Sequence, residues 1–563
     1  MTLFSSLQTA ANTLNATQIG LQVVGQNIAN ANTPGYIRER TIYSPAPVQK
    51  LGNLTVGNGV QIDAIVQNVD RFLENRVRDA GSDLASAELQ QQSYLDLQAI
   101  LGELTDTDIS SSLNDFFNAI DEVANDPQNN AVRNLAVQAG VRLTTTVNTI
   151  DRRVRQATTD LSSRVDDLAV EVNSLSDQIS QLNYQIVNIE AGGASEAGAL
   201  RSERNQALTE LAGLIDITAT ELDTGVVNVA VGGELLVFEA TKRDVESIVE
   251  STDGELRSVI RFEDNNAPLS ATGGQLEGLY ESRDTIYGGF SDRLDEFAQT
   301  LAQEFNRVYS QGQGTTGFDS LTGVESVTSA SVALDEAGLN SVPVSGGFDL
   351  LIRNTRTELT ERVPISIDLN GIDGDTTLDS LAAAIDAADG VTASVTLDNR
   401  LQIQTESSEL EFAFEGDTSG VLASLGLNTF FTGTNANSLS INQVVVSDGS
   451  KFAASLDGIG ADTQNALALI SLNDEGLSQL EGGTFTAVYD QLINETTSGA
   501  TVAESVAEGF RVFSQSLEAS SQAITGVNLD EETIDMIQLQ STYQAAARYI
   551  GTITELLDIL VNL

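Results

Sequence analysis

Two heptad seams at opposite ends of this 563-residue chain constrain it more than anything between them. At the start, Leu3, Leu7, Ala10, Leu14, Thr17, Leu21, Val24 and Ile28 step by alternating four and three residues. That spacing keeps one helix face against a partner, and Thr17 is its only polar member. At the end, Leu529, Met536, Leu539, Tyr543, Ala546, Ile550, Ile553, Leu557 and Leu560 repeat the alternation, with Glu532 in the one gap. Asn528 is placed as an N-cap, and Asp530, Glu531 and Glu532 fall in a first turn where the helix dipole favours negative charge. The pattern predicts two long helices that pair with each other and carry the chain into a polymer. An ordinary helical hairpin in a globular core is the plain alternative.

Arg38 is the first charged residue of the chain. A solvated helix normally carries charges on its outer face. This one carries Gln, Asn, Ser and Thr, so it can be covered on several sides without burying a charge. Asn30 and Asn32 are placed to end the helix. Thr33-Pro34-Gly35-Tyr36 then reads as a turn, with proline presetting φ at the second position and glycine permitting a positive φ at the third.

These ends carry a resemblance. A-N-A-N-T-P-G-Y at Ala29–Tyr36, behind a charge-free amphipathic helix, resembles the N-terminal signature of the bacterial flagellar rod, hook and hook-associated proteins. G-V-N-L-D-E-E at Gly526–Glu532 and Q-S-T-Y-Q-A-A-A-R at Gln540–Arg548 resemble their C-terminal signature. G-G-Q-L-E-G-L-Y-E-S-R-D at Gly273–Asp284 closely resembles a motif of the hook-associated protein 1 branch, where the chain returns to the helical domain. Asp417–Gly433 resembles the end of that branch's outer inserted domain. The branch usually continues with Asn, His and Gly; here Asn306 and Gly312 stand, but Tyr309 holds the histidine position. A site built on that histidine is not carried over.

The resemblance implies an extracellular structural subunit of the flagellum, a helical ring of adaptors joining hook to filament. The implied partners are other copies of the chain, hook protein, hook-associated protein 3, and an export chaperone at the C-terminal helix. The residues expected to carry polymerisation are Leu3, Leu7, Leu14, Leu21, Val24, Ile28, Asn30, Asn32, Thr33, Pro34, Gly35 and Tyr36 at one end. At the other they are Asn528, Leu529, Met536, Leu539, Tyr543, Arg548, Ile550, Ile553, Leu557 and Leu560. A hook, rod or hook-associated protein 3-like axial subunit stays open, as does an adhesin or enzyme displayed on the flagellar axis.

Composition narrows the chemistry. Cysteine, histidine and tryptophan are absent. That removes Ser-His-Asp and Cys-His catalysis, thiolate and imidazole metal sites, and disulfides. No cofactor is expected. A net charge of −52 argues against nucleic acid or an anionic membrane as partner. No apolar run is long enough for a membrane helix, and the start lacks the basic region of a secretory signal peptide. The resemblance implies the flagellar type III export channel instead, without cleavage.

Between the ends the pattern is nested. Gly59–Val66 alternates as a strand; helical pattern runs from Asp70 to Leu104 and from Ser111 to Val123. Ile150, Val154, Ala157, Leu161, Leu168, Val172, Leu175, Ile179, Leu182, Ile186 and Ile189 keep a heptad, with Arg164 at one missing position, until Gly192 and Gly193. This predicts a long rod-like helix packed within the subunit, a dimeric coiled coil being the alternative. Strands are expected at Gly225–Val231, Glu234–Phe238 and Arg257–Phe262, and mostly strands from Gly317 to Val446 around a helix at Leu378–Ala388. Asp368, Asn370, Asp373 and Asp375 fail the EF-hand spacing, because Ile372 stands at the third ligand position; they read as a solvated turn. Helical pattern returns from Asn465 to Leu469 and again at Thr484–Asn494, and continues through Val502, Val506, Phe510, Phe513, Leu517 and Ile524.

The expected fold is therefore α+β and multidomain, with paired N- and C-terminal coiled-coil helices, a helical rod domain and β-rich inserted outer domains. Residues 1–60 with 525–563 form the polymerisation domain. Residues 61–190 with 280–312 and 460–524 form the rod, and 191–279 and 317–446 the inserts. A single seam does not clearly offset the entropy of ordering about 27 residues, so both ends are expected to be largely disordered in the free monomer and to fold on assembly. Hydrogen exchange on the monomer checks this: amides in Leu3–Ile28 should exchange rapidly, and strong protection there refutes it.

Overall fold

The structure, a computed structural model, describes residues 3–51, 54–102, 108–191, 193, 195–252, 255–372, 374–460, 462–474, 476 and 482–562. Leu104, Gly192 and Asp373, used above, lie outside the described residues. In chain order the helices are α1 (Leu3–Ala29), α2 (Arg71–Gly102), α3 (Ile109–Asn125), α4 (Asn130–Glu190), α5 (Gly198–Leu214), α6 (Gly274–Glu281), α7 (Gly288–Tyr309), α8 (Leu378–Asp386), α9 (Val421–Ser424), α10 (Gln443–Ser447), α11 (Gln464–Asp474), α12 (Phe485–Thr525) and α13 (Leu529–Val561). The strands are β1 (Glu39–Pro45), β2 (Gln49–Leu51), β3 (Leu54–Val56), β4 (Val60–Gln67), β5 (Thr218–Glu221), β6 (Val227–Val231), β7 (Glu234–Phe238), β8 (Thr241–Lys242), β9 (Val245–Thr252), β10 (Glu255–Phe262), β11 (Ser320–Thr322), β12 (Gly346–Asn354), β13 (Thr360–Ile367), β14 (Val391–Val395), β15 (Leu401–Thr405), β16 (Leu410–Glu415), β17 (Phe431–Thr432) and β18 (Ser440–Ile441). Two compact units result: residues 1–93, 159–283 and 501–563, and residues 94–158 and 284–500.

In the first unit α1 and α13 pack together. β1 and β4 form an antiparallel hairpin against α1, bulged between Ile42 and Tyr43. Asn12 Nδ2 donates to the Asn58 carbonyl at 2.8 Å. Next to it Gly59 has φ +87°, and a Cβ there would meet the Thr9 carbonyl at 3.0 Å, so glycine is needed for both reasons. The antiparallel sheet β5-β6-β7-β8 and the β9–β10 hairpin follow.

The C-terminal half of α4 packs on this β structure through asparagines as well as aliphatics. Asn183 is buried; its Nδ2 donates to the Val227 and Glu239 carbonyls, and its Oδ1 accepts from the Val227 N–H. Asn173 exchanges a similar pair of bonds with Val245. Backbone groups at the ends of β6, β7 and β9 are thereby satisfied by a helix.

The α4 stripe corrects one detail of the heptad reading. Val165 is fully buried and fills the position assigned to Arg164, while Ile189 is exposed. Ala157–Leu161–Val165 puts two four-residue steps in succession, a stutter that follows the drift of a 3.6-residue helix against a 3.5-residue repeat. Within the motif Gly273–Asp284 a helix opens at Gly274, and Ser282–Tyr287 is a π-helical turn before α7.

The second unit is held by an aromatic cluster. Phe116 of α3 meets Phe305 of α7 at 5.3 Å between ring centroids and Phe430 at 5.4 Å. Phe430 also meets Tyr309 at 5.3 Å and Phe452 at 5.7 Å. Tyr309, at the family's histidine position, is therefore a core residue. Its hydroxyl accepts from the Ala453 N–H at 3.1 Å and donates to the Lys451 carbonyl at 3.4 Å. Around the insert, sheets β13-β12-β16 and β11-β15-β14 enclose α8 with Phe348, Leu350, Ile365, Leu381, Ile403 and Phe414 buried. At the aspartate-rich turn, Gly371 N–H donates to Asp375 and Ile372 N–H to Asn370. Among the described residues no acidic group is arranged to hold a metal.

Phe430→Ala would open a cavity among five aromatic neighbours, Phe116, Phe305, Tyr309, Phe431 and Phe452. It is expected to cost about 3–5 kcal/mol, measured by chemical unfolding of the full-length chain.

Candidate functional site: the paired chain ends

The α1–α13 pair is built on alternation and on small residues. On α13, Glu532, Met536, Leu539, Tyr543, Ala546, Ile550, Ile553 and Leu557 are buried or half-buried. They are the residues of the heptad. Leu529 and Leu560, assigned to the same seam, are exposed, and so are Asn528 and Arg548. Asn528 is the expected cap: its side chain accepts from the N–H of Asp530 and Glu531.

On α1 the centre of the contact differs from the leucine seam. Ala10, Ala16, Thr17, Gly20, Val23, Val24 and Asn27 are buried, whereas Leu3, Leu7, Leu14, Leu21 and Ile28 are half-buried. Small residues let the backbones approach and the leucines flank the contact. A Cβ at Gly20 would lie 2.5 Å from the Tyr43 hydroxyl and 3.3 Å from Leu539.

The loop after α1 follows its turn chemistry. Tyr36 N–H donates to the Thr33 carbonyl at 3.2 Å, and Gly35 has φ +74°. Asn30 N–H closes back onto Gln26, and Thr33 N–H onto Asn30. Asn32, Thr33, Pro34 and Gly35 are exposed; Asn30 and Tyr36 are half-buried.

The turn delivers Tyr36 and Arg38 to a clasp between the two ends. Asn27 is buried. Its Nδ2 donates to the Glu39 carbonyl at 2.9 Å and to Glu532 Oε2 at 3.1 Å. Its Oδ1 accepts from the Glu39 N–H at 3.0 Å and from the Tyr36 hydroxyl at 2.9 Å. The amide's two hydrogens and two lone pairs are thus all used. Glu532 is 1% exposed, and its Oε1 accepts from Arg38 Nε at 2.6 Å. Arg38 also reaches Glu531 at 3.0 Å. The Arg38 N–H and Asn68 Nδ2 donate to the Thr525 and Ile524 carbonyls, which caps the C-terminus of α12. Burial, then the carboxylates of Glu39 and Glu532, push the Tyr36 hydroxyl up to about 12.

Asn27, Arg38, Glu39 and Glu532 are absent from the expected interface residues. The available signal was a lone carboxylate in an apolar seam, opposite a chain end whose first charge is Arg38.

The pair leaves two uncovered faces. On α13, Ile534, Ile537, Leu556 and Ile559 are exposed on the side opposite the seam, with Arg548 among them. On α1 the exposed positions are Phe4, Gln8, Ala11, Asn15, Gln18, Gln22, Gln26 and Ala29, most of them amides. No charge interrupts them.

A cavity of about 900 Å³ lies beside the clasp and is lined by Arg71, Arg78, Arg201 and Arg204 with Glu74 and Glu221. Arg201 pairs with Glu190 at 2.7 Å and with Glu221 at 2.6 Å, and Arg71 with Glu221 at 2.8 Å. Burial, with the charge of nearby Arg201 adding to it, brings the Arg204 guanidinium down to about 10, even though Glu221 opposes the shift. The cavity is a charge-balanced network and presents no nucleophile and base in catalytic geometry.

Two outcomes test the clasp where the two ends are folded together. Glu532→Gln is expected to destabilise their pairing by about 1.5–3 kcal/mol, the range for a hydrogen bond to a charged group, measured by chemical unfolding of the assembled protein. Tyr36 keeps its proton in the folded state at pH values where an unfolded tyrosine loses it. Its contribution is complete below about pH 10 and is lost as pH rises through about 12. Tyr36→Phe should lose stability at neutral pH and show a smaller further loss across that alkaline window than the parent.

Comparison with known proteins agrees with this geometry. The profile for flagella basal body rod protein matches residues 7–36, that for the flagellar hook-associated protein FlgK helical domain residues 94–323, and that for flagellar basal body rod FlgEFG protein C-terminal residues 518–563. The flagellar hook-associated protein 1 of Escherichia coli (strain K12) is 24% identical, over 99% of this chain and 100% of its own length. That of Bacillus subtilis (strain 168) is 23% identical, over 99% of this chain and 98% of its own. The solved structure of the flagellar hook junction protein FlgK from Burkholderia pseudomallei shares the fold at a TM-score of 0.50 and 14% identity, covering 80% of this chain and 100% of that one. The rod-type profiles fall on the two chain ends that the clasp joins, and the helical-domain profile falls between them. The chain belongs to the flagellar hook-associated protein 1 family.

Proposed function

We propose that the chain is the adaptor subunit that joins hook to filament in the bacterial flagellum, working as one copy in a helical ring. The family is structural and the chain is not an enzyme. The observation that carries the reading is the locked pair of chain ends. A two-helix pair that hides one seam and leaves a second apolar stripe on α13 uncovered is a surface for another copy. Identical copies meeting through unlike surfaces form a helix rather than a closed dimer.

In this reading the α1–α13 pair builds the inner tube and the helical segments the shell around it. The β-rich inserts face outward. Hook protein lies on one side of the ring and hook-associated protein 3 on the other. The chain leaves the cell through the flagellar export channel without a cleaved signal, and an export chaperone holds α13 beforehand. Covering Ile534, Ile537, Leu556 and Ile559 would keep that stripe from aggregating.

Deletion of the gene tests the reading. Negative-stain microscopy should show hooks without filaments, with flagellin lost to the medium. Missing hooks would make the chain a rod or hook component, and intact working filaments would reject the structural role.

A further inference from the structure

A second uncovered surface lies on α2 and α12 in the first unit. The helical pattern at Val502, Val506, Phe510, Phe513, Leu517 and Ile524 splits in the fold. Ala503, Ala507, Ser514 and Leu517 are buried, while Val502, Val506 and Phe513 face outward. Gly509 lies between the last two, and nothing stands within 4 Å of where its Cβ would be. Phe72 of α2 is 73% exposed and Phe513 45%. The Arg76 guanidinium lies 5.9 Å from the Phe72 ring centroid and 6.0 Å from that of Phe513.

Most phenylalanines of this chain are buried, so two exposed ones bridged by a cation need a reason. Arg76 is exposed and has no carboxylate at ion-pair distance among the described residues. The chain carries 80 acidic residues against 28 basic ones, so a cation left unmatched is conspicuous. Aromatic rings and arginine are the side chains that dominate interface energetics.

We propose that this face receives the outer face of α13 from a second copy, with Ile534 and Ile537 against Phe72, Phe513 and Val506, and Asp530 against Arg76. The inference rests on the reading that the chain polymerises, and it names the surfaces that meet. The occupant follows from charge. Copies with a net charge of −52 repel one another, so they can approach only where charge is low or of opposite sign. The first half of the α13 outer face offers exposed Asp530, Ile534 and Ile537 and no cation until Arg548. Asp530 makes no side-chain pair among the described residues. An apolar face carrying a free cation and an apolar face carrying a free anion are complementary. Because they are different surfaces, the contact propagates instead of closing.

The absence of native cysteine makes the test clean. Flagella isolated from cells expressing full-length Phe513→Cys/Ile534→Cys are oxidised and run without reductant. A ladder of covalent oligomers is expected. When the two single variants are co-expressed, only the mixed dimer should form. Dimers from Phe513→Cys alone would overturn the assignment by making the contact self-complementary. Incorporated subunits that never cross-link would overturn the contact and leave the polymer reading standing. A chain that never enters the flagellum would overturn both. Arg76→Glu should lower incorporation about tenfold, and Asp530→Arg in the same chain should restore it. Failure of that restoration, with the fold intact by circular dichroism, also overturns the assignment.

Discussion

One buried carboxylate governs how the two ends of this protein meet. Glu532 lies inside an otherwise apolar seam, where an unpaired charge would be costly. It is tolerable because Arg38 and Asn27 are brought to it, and Asn27 lies 505 positions away in the chain. A slip of α13 along α1 by one turn would keep leucine and isoleucine in apolar surroundings but strand the carboxylate. The pair Glu532–Arg38 thus specifies the register that apolar packing alone leaves loosely defined. The turn at Thr33–Tyr36 is what places Arg38 and Tyr36 for that role.

The rest of the first unit is compatible with such an arrangement. Small residues at the centre of α1 let the helices approach, and the outer faces stay free of cations apart from Arg548. In the proposed assembly a subunit with a large negative charge meets its neighbours through surfaces of low charge: an uncharged amide stripe on α1, an apolar stripe on α13, and an aromatic patch around Arg76. The acidity elsewhere makes copies of the chain repel one another.

The second unit has its own means of cohesion. Phenylalanines from α3, α7 and the segments after the insert stack into one cluster, which brings together stretches far apart in the chain. Tyr309 belongs to this cluster. Its hydroxyl completes backbone hydrogen bonds at Ala453 and Lys451.

Much of this was legible from the residues alone. Periodicity located α1, the long α4 and α13, because a one-sided apolar stripe of sufficient length has few other folds. Proline, glycine and asparagine marked the turn and the cap, because their backbone preferences are local. The signature motifs pointed to the family. Tertiary structure decided what periodicity cannot carry. It set which of two apolar faces on α12 is buried, and it moved the α4 seam from Arg164 to Val165. It also joined Asn27, Arg38 and Glu532, whose meaning depends on partners distant in sequence. Local preference is written residue by residue; the pairing of a buried charge exists only once the chain has brought its two ends together.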